Sequence, residues 1–139
     1  MNTSSDLRRG RVYVFLLHVH LVFVTKYRRK VFTQSILSHL EDIFSSVCED
    51  FEASLEEFNG EEDHVHLLIN YPPKVSISKL VNSLKGVSSR MLRKAKYPSV
   101  QKALWGNHLW SPSYFAGSCG GASLDAIKKY VEQQNRPSA

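Results

Sequence analysis

Cysteine is scarce in this chain of 139 residues: Cys48 and Cys119 are the only two. They have neither the CxxC spacing of a thiolate metal site nor the density of a disulfide framework, so a reduced intracellular protein is expected. Long apolar runs are missing too. The longest, Val12 to Val24, has 13 residues and contains His18 and His20, whereas a membrane-spanning helix needs about 20. It follows Arg8, Arg9 and Arg11 as the core of a signal peptide would, but only Lys26-Tyr27-Arg28-Arg29-Lys30 comes after it, with no small-residue cleavage site; secretion and membrane insertion are not expected. Repeats, low-complexity tracts and Pro/Gly/Ser-rich linkers are also lacking, which leaves no place to divide the chain. One domain over residues 1–139 is expected, with 1–10 as an N-terminal extension.

Acidic residues are absent from His64 through Leu124, a stretch with eight Lys and Arg, while ten of the 13 acids lie between Glu41 and Asp63. The chain carries 18 Lys and Arg and a formal charge of +5. A locally positive surface and a polyanionic partner are implied. Hydrophobic residues make up 42% of the chain, enough to fill one core and to exclude a disordered tail.

The run Tyr13 to Val24 is β-branched and aromatic and predicts a long buried strand. From Thr33, an N-cap, Ile36, Leu37, Leu40, Ile43, Phe44, Val47 and Phe51 recur at helical spacing. Ala53 to Glu61 and His64 to Tyr71 predict two strands around an Asn59-Gly60 turn, stopped by Pro72-Pro73. A second helix begins near Ser76 with Ile77, Leu80, Val81, Leu84, Met91 and Leu92 on one face and Lys79, Lys85, Arg90, Arg93 and Lys94 on the other. A solvated face is the simplest account of such a stripe, although no acids are interleaved as solubilising pairs would be. Pro112 to Cys119 predicts a fourth strand; Gly120-Gly121 breaks the chain, and Ser123 caps a last helix, residues 122–136, with Ile127, Tyr130, Val131 and Gln134 on one face. The order β-α-β-β-α-β-α predicts an α+β fold, a ferredoxin-like (RRM-like) antiparallel sheet with helices on one face and an appended C-terminal helix.

Within Asp63-His64-Val65-His66-Leu67-Leu68, alternation puts His64 and His66 on one face of a strand, about 7 Å apart along the chain, where two imidazoles can share one metal ion. His18-Val19-His20 has the same spacing, so spacing alone does not choose between the pairs. Tyr130 and Gln134, four residues apart, share a helix face with Ile127 and Val131; a nucleophile and ligand, or a core tyrosine, are both consistent with that pattern.

The whole pattern resembles the small single-tyrosine HUH transposases, the TnpA type of minimal insertion sequences. The blocks that carry the resemblance are His20 to Val31, Asp63 to Leu68, Leu84 to Arg90, Leu109 to Phe115 and Lys129 to Gln134, collinear from about residue 11 onward. The resemblance implies that His64 and His66 bind a divalent ion, Mg²⁺ or Mn²⁺, that Gln134 is the third ligand, and that Tyr130 on the last helix is the nucleophile, with Gly120 and Gly121 as its flexible connection. Two imidazoles and one amide oxygen would by ligand softness also suit Zn²⁺. By the same resemblance His18 and His20 are structural, the partner is single-stranded DNA with hairpins at the element ends, and the protein is a homodimer in the cytoplasm of a prokaryotic cell whose tyrosine helices can be exchanged between subunits. The apolar first strand is expected to help form that interface. Lys26, Arg28, Arg29, Lys30, Lys79, Lys85, Arg90 and Arg93 are the expected phosphate track. A non-catalytic nucleic-acid module of the same fold is the rival reading, but it needs exposed aromatics on the central strands, where this chain has His64, His66 and Leu68. A two-histidine phosphoesterase needs Ser or Thr two residues after each first His rather than a second His.

Overall fold

The computed structural model describes residues 7–9, 14–104, 108–118 and 131–133. Two short strands, β1 (Arg8–Arg9) and β2 (Val14–Phe15), pair with each other. The main sheet contains β3 (His18–Val24), β4 (Ser54–Gly60), β5 (His64–Asn70) and β6 (Phe115–Ser118) in the order β4-β5-β3-β6, antiparallel throughout. Leu21, Val22, Phe23 and Val24 are completely buried, because β3 lies between two neighbours and both of its faces are covered.

The strand expected from Tyr13 to Val24 is interrupted. Asn70 Nδ2 and the Tyr71 N–H both bind the Leu17 carbonyl, at 3.1 Å each, while β2 turns away to β1, whose Arg8 reaches back to Asn70 and to the Glu52 carbonyl. Within the main sheet β3 is central, and among the described residues the outer strands are β4 and β6.

Helix α1 (Gln34–Asp50) starts where Thr33 Oγ1 accepts from the Ile36 N–H, and α2 (Ile77–Lys94) where Ser76 Oγ accepts from the Lys79 N–H. Both cover one face of the sheet: Ile36, Leu40, Phe44, Leu80, Leu84 and Leu92 share a core with Leu21, Phe23, Val65, Leu67 and Ile69. Met91, expected on the buried face, is 41% exposed. A short α3 (Pro98–Ala103) was not expected, since six residues show no helical period. Trp110 is buried with its indole N–H donating to Ser88 Oγ at 3.0 Å, tying the chain before β6 to α2.

The Asn59-Gly60 turn is also corrected. Both residues are inside β4, opposite His66 and Val65, and the reversal is over 61–63, where the Glu61 N–H binds the His64 carbonyl. A Cβ on Gly60 would meet the end of the Leu37 side chain of α1.

No helix among the described residues is long and apolar enough to cross a membrane. Of the expected last helix, residues 131–133 are described and helical; Tyr130, Gln134, Gly120 and Gly121 lie outside the described residues.

Candidate active site

Alternation along the strands puts Leu21 and Phe23 under the helices and His20, Val22 and Val24 on the opposite face. Register carries this across to β5: Val24 faces His64, Val22 faces His66 and His20 faces Leu68. The His64 and His66 rings lie with centroids 5.0 Å apart, and the His20 ring stands 5.6 Å from that of His66. Three imidazoles therefore cluster on the face away from the helices, one more than the HUH spacing alone indicates. His18, two residues before His20, is buried instead near Glu56, its Nε2 3.9 Å from Glu56 Oε1.

Burial, reinforced by the neighbouring His64 and His20, pushes the His66 imidazole down to about 4; His20 is lowered as well, by burial against a smaller opposing pull from Glu57. His66 is thus neutral near pH 7, the form that binds a metal. His64 Nδ1 lies 2.8 Å from Asp63 Oδ1, and Asp63 Oδ2 is paired with Arg28 Nε at 3.3 Å. An ionised carboxylate only accepts, so the His64 Nδ1 donates to Asp63. The donor set fits a divalent ion on two nitrogens. No group of three His, Cys, Asp or Glu side chains suited to a metal occurs among the described residues, so a third ligand would be of another type, such as an amide, or come from outside them. Sequence reasoning missed Asp63 and the proximity of His20; the Asp directly before the first His was the available signal for the former.

Beside His66 opens a cleft of about 460 Å³ lined by His20, Glu57, Asn59, Glu61 and Leu68. On the same face Val131 is buried against Val22 and Val24, with Phe115 alongside. The chain on either side of Val131 contains Tyr130 and Gln134.

The basic residues separate into two groups. Lys26, Arg28, Arg29 and Lys30 follow β3 in a 3₁₀ turn and its exit, at the sheet end that carries His64. Tyr27 and Arg28 have positive φ, 63° and 55°, and Lys26 Nζ and Arg29 Cζ lie 5.4 and 5.5 Å from the Tyr27 ring centroid. Arg28 is occupied by Asp63, and Arg29 Nη1 donates to the Ala103 carbonyl at 2.6 Å. On α2, Lys79 and Arg90 are exposed and Arg93 is partly buried, on the helix side, away from the histidines. Lys85 turns inward. Its Nζ donates to the Ser111 and Ser113 carbonyls at 2.7 and 2.9 Å, and burial pushes it down to about 8.

A family model described as "Transposase IS200 like" matches residues 13–134. The ISDra2 transposase TnpA of Deinococcus radiodurans is 34% identical over 130 residues, which cover 94% of this chain and 92% of that one. The transposase for insertion sequence element IS200 of Salmonella typhimurium is 30% identical over 115 residues, covering 83% and 74%. Among solved structures, one assigned to a transposase of Deinococcus radiodurans R1 superposes with a TM-score of 0.82 at 32% identity, over 94% of this chain and 99% of that one. A REP-associated tyrosine transposase bound to a REP hairpin shares the fold, with a TM-score of 0.57 at 13% identity over 90% and 68%.

Proposed function

The chain belongs to the IS200-like transposase family, and from that premise we propose that it cleaves and rejoins single-stranded DNA by transesterification through Tyr130, excising and inserting an insertion sequence. One observation carries this reading: His64 and His66, side by side, share a sheet face with the docked Val131, the residue next to Tyr130. The order β4-β5-β3-β6 with both long helices on the other face supports taking the scaffold as ferredoxin-like.

In this reading His64 and His66, with Gln134 as third ligand, hold Mg²⁺ or Mn²⁺. The bound ion supplies Lewis-acid polarisation of the scissile phosphate. Tyr130 Oη attacks the phosphorus in line with the 3′ oxygen; the Tyr O–P bond forms, the P–O3′ bond breaks, and the phenolic proton balances the charge on the departing 3′ oxygen. The 5′-phosphotyrosine keeps a transferable phosphoryl group, so attack by another 3′-OH reverses the step and joins new ends. Lys26 and Lys30 lie at the His64 end of the sheet and attract the strand's phosphates; Lys79, Arg90 and Arg93 extend a basic surface onto the helix side. Two chains assemble into a homodimer whose tyrosine segments, each seated here on Val22 and Val24 of its own chain, can be exchanged to the partner's histidine site, Gly120 and Gly121 serving as the hinge.

The test is covalent capture. Incubated with Mg²⁺ or Mn²⁺ and single-stranded DNA containing the ends of its element, the protein forms an adduct that survives denaturing electrophoresis; with the chelated sample or with duplex DNA it does not. Absence of an adduct on single strands with either metal refutes the reading.

A further inference from the structure

We propose that Asp63, held in place by Arg28, is a positioning residue that locks His64 in the Nδ1–H tautomer and so presents Nε2 to the metal. The proposal rests on His64 being a metal ligand and adds a pair of residues to that site.

Asp63 is clamped to the turn after β3 at both backbone and side chain. The Thr25 N–H donates to the Asp63 carbonyl at 2.9 Å, and the Thr25 hydroxyl lies 2.7 Å from the Arg29 carbonyl and 3.2 Å from that of Asp63. Arg28 then holds Oδ2 while Oδ1 takes the His64 Nδ1 proton. Both carboxylate oxygens are committed to donors on different elements, which sets the rotamer of Asp63 and, through it, the plane of the imidazole. To aim Arg28 this way the turn places two consecutive non-glycine residues in the left-handed region, Tyr27 at φ 63° and Arg28 at φ 55°. Such conformations are strained for residues with a side chain and persist where the surroundings enforce them. Here the enforcing bonds are Arg28 N–H to the Thr25 carbonyl and Lys26 N–H to the Leu109 carbonyl, both 2.9 Å. The partly buried setting of the Asp63–Arg28 pair, with side chains 13% and 23% exposed, lets it act as more than a solvated surface ion pair.

An amide cannot replace this carboxylate. Asn at position 63 offers one acceptor where Arg28 and His64 both present donors, so one bond is lost while the shape is kept. The test has two readouts on the full chain. By ¹⁵N-histidine NMR of the metal-free protein at pH 8, His64 is protonated at Nδ1 in the parent and becomes a tautomer mixture in Asp63→Asn and in Arg28→Ala. By titration with Mn²⁺ alone, both variants bind about 10- to 100-fold more weakly. Nε2–H at His64 in the parent, or unchanged tautomer and Mn²⁺ affinity in both variants, overturns the proposal. His64→Ala is measured beside them: if it leaves Mn²⁺ affinity unchanged, the metal-ligand reading itself is refuted, whatever the tautomer of His64.

Discussion

Val22 and His66 face each other in register across β3 and β5, and Val22 is also one of the two side chains on which Val131 rests. The strand pair therefore carries the imidazole proposed to hold the metal and, beside it, an apolar seat for Val131, the residue next to Tyr130. Val131→Ala is expected to unseat that segment and slow DNA cleavage by roughly 100-fold, the scale set by small misplacements of a reacting group, with little loss of thermal stability. Equal cleavage rates for variant and parent would show that the seat does not position the nucleophile.

The two His-x-His pairs separate by substitution. His64→Ala and His66→Ala lose metal-dependent cleavage; His18→Ala, which alters a buried position beside Glu56, keeps it. Single-turnover cleavage at saturating Mn²⁺ makes the comparison, and a dispensable His66 with an indispensable His18 would reverse the assignment.

Lys85 gives the fold a signature in alkali. Burial brings it from 10.5 to about 8, so between those values the folded chain has released a proton that the unfolded chain still holds. The unfolded state then binds more protons, and stability contributed by this group rises as pH climbs from about 8 to 10.5, the penalty for a buried ammonium being fully present below 8. Denaturant unfolding across this range is expected to show the rising contribution in the parent and lack it in Lys85→Met. Identical slopes in the two proteins would contradict it.

Assembly is tested by mixing. If each tyrosine segment serves the partner's histidines, a His66→Ala chain combined with a Tyr130→Phe chain regains cleavage, because in that heterodimer one site receives both defects and the other none. Verified heterodimers without activity would mean that each site is built within one chain.

Much of this was legible beforehand where a local rule governs. Thr33 and Ser76 cap α1 and α2 as their sequence context indicates, and period-two alternation places His64 beside His66. Legibility fails where a distant contact decides. Asn59-Gly60 looks like a turn until its pairing with His66 and Val65 of β5 is seen, and Lys85 looks like a surface cation until the chain at Ser111 and Ser113 folds over it. Likewise the hold of Arg28 on Asp63 spans 35 positions, and the His20 ring reaches His66 only through strand pairing. Neither can be read from spacing along the chain.

The central claim is that Tyr130 becomes covalently joined to DNA. Its most direct measurement is peptide mass spectrometry of the protein after reaction with single-stranded DNA and Mn²⁺, run beside Tyr130→Phe, which removes only the hydroxyl. A 5′-phosphonucleotide on the peptide that contains Tyr130, and no adduct in the variant despite retained DNA binding, is the predicted result; an adduct on another residue, or undiminished adduct in Tyr130→Phe, would contradict the account.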